Sequence, residues 1–142
     1  MRLWHYKLIN VLPQKQLISQ WRELIAIKGA IEKNGTPNHS LVNIVLDYSI
    51  EDFKAYTTLI YAELLRRYFR AKLEKYTEII NWENNNFNNT KIRNEEEVYI
   101  NWHNDRYLKQ CLYNLQEKYD RGMITSNEWL KITAKFGDYI ER

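Results

Sequence analysis

Residues 14–33 read QKQLISQWRELIAIKGAIEK and contain the clearest helical pattern of the chain. Its apolar side chains recur at three- and four-residue intervals at Leu17, Trp21, Leu24 and Ile31. Such spacing places them on one face of an α-helix, because the helix turns once in about 3.6 residues. Pro13 precedes the stretch and Gly35-Thr36-Pro37 follows it, as is typical of a helix start and a helix end. The pattern predicts helix one over residues 14–33.

The opposite face of helix one carries small residues around a single carboxylate. At about 100° per residue, Ser19, Ala26 and Ala30 lie beside Glu23, and Arg22 lies at the border of this face. Small neighbours leave room for the N-terminal segment or a ligand to approach Glu23. The alternative is an ordinary solvated face.

The remaining apolar pattern predicts further helices and one loop. We expect an irregular or extended lead-in over 1–13, a short helix or turn over 40–47, and helices over 50–82, 101–121 and 125–136. The asparagine-rich stretch 83–101 predicts a surface loop with weak local order. The expected fold is all-α, with three main helices, shorter helices, and an extended N-terminal segment packed against helix one.

Composition agrees with a single helical domain that spans residues 1–142. The chain contains only 2 Pro and 4 Gly but 11 Tyr and 5 Trp, which favours helices with aromatic packing over sheets joined by turns. There is no apolar run of about 18 residues and no signal-peptide core. We therefore expect a soluble, cytoplasmic protein that does not bind membranes.

Positive charge is concentrated at the start of the chain. The net charge of the whole chain is only +3, yet residues 1–30 carry five basic side chains against Glu23 alone. The five are Arg2, Lys7, Lys15, Arg22 and Lys28. A basic region of this kind is what a phosphate-backbone ligand requires. The alternative is a chance fluctuation in composition.

The α-amine of Met1 is a candidate nucleophile. Because Arg2 is too large for efficient removal of the initiator methionine, we expect the mature chain to begin with Met1. A terminal amine has an ordinary pKa of about 7.7–8.0, and the charges of Arg2 and Arg22 would lower it further. Glu23 could move protons or stabilise a cationic, sugar-like transition state. The alternative is a chain terminus without a function.

Other common chemistries lack their motifs in this chain. There is no Gly-rich phosphate loop, no helical His-Glu-x-x-His motif and no Gly-x-Ser-x-Gly elbow. His5, His39 and His103 do not have the spacing of a metal site, and a lone Cys111 excludes a cysteine-based zinc site. We therefore expect no metal, no cofactor, and structural or surface roles for the histidines.

Three parts of the sequence together resemble a known family. They are the start Met1-Arg2-Leu3-Trp4-His5, the segment 17–24 with Trp21-Arg22-Glu23, and the later His103 and Trp129. These residues resemble the pyrimidine dimer DNA glycosylase family. The resemblance implies a compact, monomeric all-α protein that acts as a glycosylase and abasic-site lyase on damaged double-stranded DNA. It also implies a nucleoid-associated protein that needs no metal.

The resemblance also implies residue roles. The Met1 amine falls on the family's nucleophile and Glu23 on its catalytic glutamate, so that an imine would form with the deoxyribose and β-elimination would follow. The residues expected to bind DNA are Arg2, Arg22, Gln16 and Lys28.

The chain departs from the family pattern at two positions, which leaves the lesion open. The pattern has a histidine where this chain has Gln16, and an arginine where it has Ala26. The substrate could be a pyrimidine dimer, another damaged base or an abasic site. Two other classes of function also stay open: a non-catalytic helical nucleic-acid-binding module, and a structural protein that interacts through its aromatic surface.

Overall fold

A computed structural model describes residues 2–140, and within that range the chain forms five α-helices, three 3₁₀ helices and no β-strand. The α-helices are α1 (Gln14–Asn34), α2 (Ile50–Arg66), α3 (Leu73–Ile80), α4 (Asp105–Asp120) and α5 (Ser126–Phe136). The 3₁₀ helices are Tyr6–Val11, Asn43–Asp47 and Gly137–Tyr139. The all-α prediction is confirmed, with α1, α2 and α4 as the three long helices. Among residues 2–140, no helix has the length and apolar character that a membrane crossing requires.

The predicted bounds of helix one are confirmed to within one residue. The four apolar residues that predicted it, Leu17, Trp21, Leu24 and Ile31, are all buried in the core. Gly35 ends the helix with a φ of 76°, in the left-handed region that favours glycine, and its N–H donates to the carbonyl of Ile31 at 2.8 Å. Helix one therefore begins and ends where its local signals place it.

The prediction of one helix over 50–82 is wrong, because α2 and α3 are separated by residues 67–72. Tyr68 has a φ of 61°, which an α-helix does not accept, and the N–H of Phe69 bonds back to the carbonyl of Leu64 at 2.9 Å. Apolar residues recur at three- and four-residue spacing on both sides of the break because both helices pack against the same core. Periodicity alone could not locate the break.

Arg67 joins the end of α2 to the start of α1. Its guanidinium donates to the carbonyl oxygens of Leu12 at 2.7 Å and Ile9 at 3.3 Å, and to the side-chain oxygen of Gln14 at 3.2 Å. It also donates to Glu63 Oε2 at 2.7 Å. The guanidinium thus satisfies several partly buried acceptors at once and holds the two helices together.

The N-terminal segment lies between α1, α2 and α4. The predicted lead-in is wrong over Tyr6–Val11, which forms a 3₁₀ helix. The hydroxyl of Tyr107 on α4 donates to the carbonyl of Leu3, and that of Tyr56 on α2 donates to the carbonyl of Trp4, both at 2.6 Å. The N–H of Trp4 donates to the side-chain oxygen of Gln20 on α1 at 2.8 Å. The predicted packing of this segment against helix one is confirmed.

The predicted loop over 83–101 contains no helix or strand, but its expected weak local order is wrong. Phe87, Val98 and Tyr99 are buried in the core. The N–H of Tyr99 donates to the buried Asp52 carboxylate at 3.0 Å. Three apolar anchors and one buried hydrogen bond therefore fix the loop to α2 and the core.

His5 and His103 are buried where the N-terminal segment meets the residues before α4. His5 Nδ1 accepts the N–H of Lys7 at 3.1 Å and its Nε2 donates to the carbonyl of His103 at 2.8 Å, while His103 Nδ1 accepts the N–H of Tyr6 at 3.0 Å. Both rings are thus held neutral, with the proton on Nε2. Burial lowers the pKa of His5 to about 4 and holds the pKa of His103 well below its ordinary range. The expected structural role is confirmed for these two histidines.

We predict that the protein loses stability as the pH falls from about 6.5 towards about 4. In this window the unfolded chain binds a proton at His5 and the folded chain does not, so the loss from His5 alone should be about 2 kcal/mol at about pH 5. Urea unfolding at about pH 8 and about pH 5 measures it. His5→Gln should reduce this dependence, and His39→Gln, a control away from the buried pair, should keep it. An equal pH dependence in His5→Gln and the unsubstituted protein would contradict this account.

Candidate active site

Glu23 opens into a cleft of about 430 Å³ that three parts of the chain build. The N-terminal segment contributes Arg2 and Trp4, α1 contributes Lys15, Gln16, Ser19 and Glu23, α4 contributes Asn114 and Lys118, and the connection after α1 contributes Leu41. Of the small-residue face predicted around Glu23, Ser19 and Glu23 therefore line the cleft together with Arg2 and Trp4, whereas Ala26 and Ala30 do not line it.

The Glu23 carboxyl is half-buried, and burial raises its pKa above the ordinary value. Three cationic side chains, those of Arg2, Lys15 and Lys118, line the same cleft. Gln20, which is fully buried beneath the cleft, donates from Nε2 to Glu23 Oε2 at 3.0 Å. A carboxylate placed among cations at the edge of solvent can stabilise developing positive charge and exchange a proton with a bound substrate.

Gln16 presents an unsatisfied acceptor at the same cleft. Its Oε1 is buried and has no hydrogen-bond partner among the described residues. A buried acceptor without a partner costs free energy, and because this oxygen is shielded from the cleft, a ligand can bond to it only if the side chain moves.

A second cleft of about 470 Å³ adjoins the first, because Arg2 and Leu41 line both. Four polar side chains at four-residue spacing on α4 continue along the two clefts. Arg106 and Gln110 line the second cleft, and Asn114 and Lys118 line the first. The four span about 18 Å along one face of the helix. Cations and amides arranged in this way can contact successive phosphates and sugars of a nucleic-acid strand.

The structure brings together three of the six residues that the sequence predicted for the site. Arg2, Gln16 and Glu23 line one cleft, whereas Arg22 is exposed and lines neither of the two adjoining clefts. Lys28 lies elsewhere on α1, where its ammonium donates to Glu32 at 2.8 Å and lies 5.3 Å from the centre of the Trp82 ring. Met1 is outside the described residues. The functional roles of all six stay predictions.

Sequence reasoning missed the contributions of α4 and of Gln20. The spacing of Arg106, Gln110, Asn114 and Lys118 was visible, but the same spacing is typical of any solvated helix face. Gln20 is a polar residue within the buried face of α1, beside Trp21 and Leu24. A polar residue in an apolar face could have indicated a side chain with a specific hydrogen-bonding role. Within residues 2–140, no group of three or more His, Cys, Asp or Glu side chains is arranged to hold a metal ion.

Comparison with known proteins identifies the family. The family model described as pyrimidine dimer DNA glycosylase matches residues 1–77. No curated protein and no solved structure matches the chain. The matched region contains Arg2, Gln16 and Glu23 and ends in α3, so α4 and α5 lie outside it. Because the match covers more than half of the 142 residues, the chain belongs to the pyrimidine dimer DNA glycosylase family, which implies a DNA glycosylase whose substrate is DNA.

Proposed function

We propose that this protein is a DNA glycosylase with abasic-site lyase activity, which acts on pyrimidine dimers in double-stranded DNA. In this proposal the Met1 amine is the nucleophile, Glu23 is the catalytic carboxylate, and the protein works as a monomer without a metal or cofactor. The observation that carries the proposal is the position of Glu23 in a cationic cleft beside the N-terminal segment, within the region that matches the family.

The proposed reaction begins at the damaged nucleotide. The lone pair of the Met1 amine attacks C1′, and the bond between C1′ and the base breaks with its electrons leaving on the base. The amine then loses a proton and the sugar ring opens, which leaves an imine between the protein and C1′. Glu23 stabilises the positive charge that develops on the sugar and accepts or returns protons during ring opening.

Strand cleavage follows from the imine. Removal of a proton from C2′ moves electrons towards C3′, and the bond from C3′ to its phosphate oxygen breaks, so that the strand is cut on the 3′ side of the damaged sugar. Water then hydrolyses the imine and regenerates the amine. The raised pKa of Glu23 suits this exchange, since a carboxyl titrates most usefully when its pKa approaches the working pH.

We propose that the two adjoining clefts bind the sugar-phosphate backbone around the lesion. Arg2, Lys118 and Arg106 supply positive charge for phosphates, and the amides of Gln110 and Asn114 supply neutral hydrogen bonds. Reaching C1′ of a stacked nucleotide requires the duplex to open, so a kinked duplex with a displaced nucleotide is expected.

Matched oligonucleotide duplexes test the proposed function. One contains a cyclobutane pyrimidine dimer, one an abasic site and one no damage, and the dimer is also offered in a single strand. We expect cleavage of both damaged duplexes, no cleavage of the undamaged duplex and little cleavage of the dimer in a single strand. Cleavage of the abasic duplex alone would show that the chain is a lyase that does not recognise dimers. No cleavage of any duplex would contradict the proposal.

Binding to undamaged duplex should depend steeply on salt because the proposed contacts are to phosphates. Lys118→Gln removes one cation from the cleft. It should reduce the slope of log affinity against log salt by about 1. Lys109→Gln, an exposed lysine on the same helix that lines neither cleft, should leave the slope unchanged. Equal slopes for all three proteins would contradict a DNA contact at Lys118.

A further inference from the structure

Gln20 is a fully buried glutamine whose side-chain polar atoms all have partners. Its Oε1 accepts the N–H of Trp4 at 2.8 Å. Its Nε2 donates to the carbonyl of Arg2 at 3.0 Å and to Glu23 Oε2 at 3.0 Å. One amide on α1 therefore connects two backbone positions of the N-terminal segment to the carboxylate of the candidate active site.

The orientation of this amide follows from its partners. The N–H of Trp4 can only donate, whereas the carbonyl of Arg2 and the carboxylate of Glu23 accept. The oxygen must therefore face Trp4, and the nitrogen must direct its two hydrogens at the other two groups. A rotation of the amide by 180° would break all three bonds.

The hydroxyl of Tyr56 on α2 also contacts the side-chain amide of Gln20. Its buried hydroxyl lies 2.9 Å from Gln20 Oε1 and 2.6 Å from the carbonyl of Trp4. The single hydroxyl proton is shared between these two acceptors. The N-terminal segment is thus fixed at Trp4 from two directions, by α1 and by α2.

We infer that Gln20, supported by Tyr56, is a positioning residue that holds the start of the chain in register with Glu23. Consecutive Cα atoms are about 3.8 Å apart, so holding Arg2 limits the positions open to the amine one residue before it. A buried amide is costly to desolvate, and its directional bonds specify one arrangement that an apolar side chain would not. This inference rests on the proposed function, in which the Met1 amine and Glu23 act together.

The same amide stabilises the ionised form of Glu23. Its N–H bond to Oε2 favours the carboxylate. Arg2 from the N-terminal segment, Lys15 on α1 and Lys118 on α4 are the cations that line the same cleft. Burial acts in the opposite direction. Loss of the amide donor should therefore raise the pKa of Glu23 further.

Two variants and a matched control test the inference. Gln20→Met keeps the length of the side chain and removes all four hydrogen bonds of the amide, whereas Tyr56→Phe removes only the Tyr56 hydroxyl. Tyr48→Phe is the control, because Tyr48 lines neither cleft and its hydroxyl donates to the carbonyl of Ile100 at 2.5 Å rather than to Gln20 or the N-terminal segment. Each protein is measured for single-turnover cleavage of a dimer duplex, for DNA affinity, and for the Glu23 pKa by carboxyl carbon-13 NMR without DNA.

We expect Gln20→Met to reduce the cleavage rate by about 100-fold with DNA affinity nearly unchanged, because a misplacement of about 1 Å costs that much. The Glu23 pKa should rise by about one unit. Tyr56→Phe should slow cleavage by about 10-fold without moving the Glu23 pKa, because its hydroxyl does not contact Glu23. Tyr48→Phe should change none of the three readings.

A normal cleavage rate and an unchanged Glu23 pKa in folded Gln20→Met would overturn the inference. If Gln20→Met does not fold, Tyr56→Phe decides the question: a cleavage rate equal to that of Tyr48→Phe would overturn it equally. The NMR reading separates this inference from the proposed function. If the unsubstituted protein cleaves no duplex, the proposed function fails, while the Glu23 pKa still shows whether the amide stabilises the carboxylate.

Discussion

Replacing Glu23 with glutamine should abolish strand cleavage at damaged sites while leaving affinity for the damaged duplex nearly intact. The substitution keeps the size of the side chain and removes its charge and its ability to exchange protons. Loss of one acid–base group and of charge stabilisation in a site of this kind costs roughly 10²–10⁴-fold in rate. Single-turnover cleavage of a dimer duplex measures the rate, and fluorescence anisotropy measures the affinity.

Glu78→Gln is a suitable control for the loss of one carboxylate. Glu78 lies on α3, pairs loosely with Lys75 at 3.6 Å and lines neither of the two clefts. This control should cleave at the unsubstituted rate. If Glu23→Gln also cleaves at that rate, Glu23 is an ordinary surface carboxylate and the proposed mechanism is wrong.

Blocking the amino terminus should have an effect of similar size. Acetylation of the Met1 amine removes its lone pair from reactivity, and a Gly-Ser extension converts that amine into an amide and places the new terminal amine two residues earlier in the chain, so either change should suppress imine formation by roughly 10²-fold or more. The measurement compares borohydride-trapped adduct from equal amounts of free, acetylated and extended protein on an abasic duplex. A small tag at the C-terminus provides the control and should leave the yield of adduct unchanged.

Persistence of the adduct in the acetylated protein would move the nucleophile to a lysine. Lys15 and Lys118 are the lysines that line the cleft with Glu23. Such a result would leave family membership untouched, but it would contradict the role proposed for Met1.

The parts of the fold that local signals specify could be predicted from the sequence. Helix one begins after Pro13, ends at Gly35 and buries one apolar face, and each of these features acts within a few residues of chain. The start of α5 is also specified by neighbouring residues, because Thr125 and Glu128 form a capping box with each other. Distant contacts add to these local signals, because Glu128 on α5 accepts the N–H of Gln14, the first residue of α1, at 2.9 Å.

The break between α2 and α3 could not be predicted because distant residues stabilise it. Arg67 follows the last residue of α2 and donates to the carbonyl oxygens of Leu12 and Ile9, more than 50 positions earlier in the chain. The loop over 83–101 is fixed similarly, by a hydrogen bond from Tyr99 to Asp52. Contacts of this kind leave no periodic signal in the sequence.

The residues of the candidate site also differ in whether local sequence or tertiary packing places them there. Arg2, Gln16 and Glu23 could be predicted because they lie within the first part of the chain, where the family resemblance is strong. Lys118 and Asn114 come from α4, which approaches the cleft only through tertiary packing. Arg22 and Lys28 share α1 with Glu23 but lie outside the cleft lining, because positions one and five residues away from Glu23 point in other directions around the helix.

Peptide mapping of the borohydride-reduced adduct identifies the group of the protein that forms the imine. The protein is incubated with an abasic duplex, reduced, digested and analysed by mass spectrometry for the peptide that carries the deoxyribose remnant. We predict that the remnant is found on the α-amine of Met1, in the peptide that begins the chain. A remnant on the side chain of Lys15 or Lys118, or no adduct from a protein that cleaves the duplex, would contradict the account.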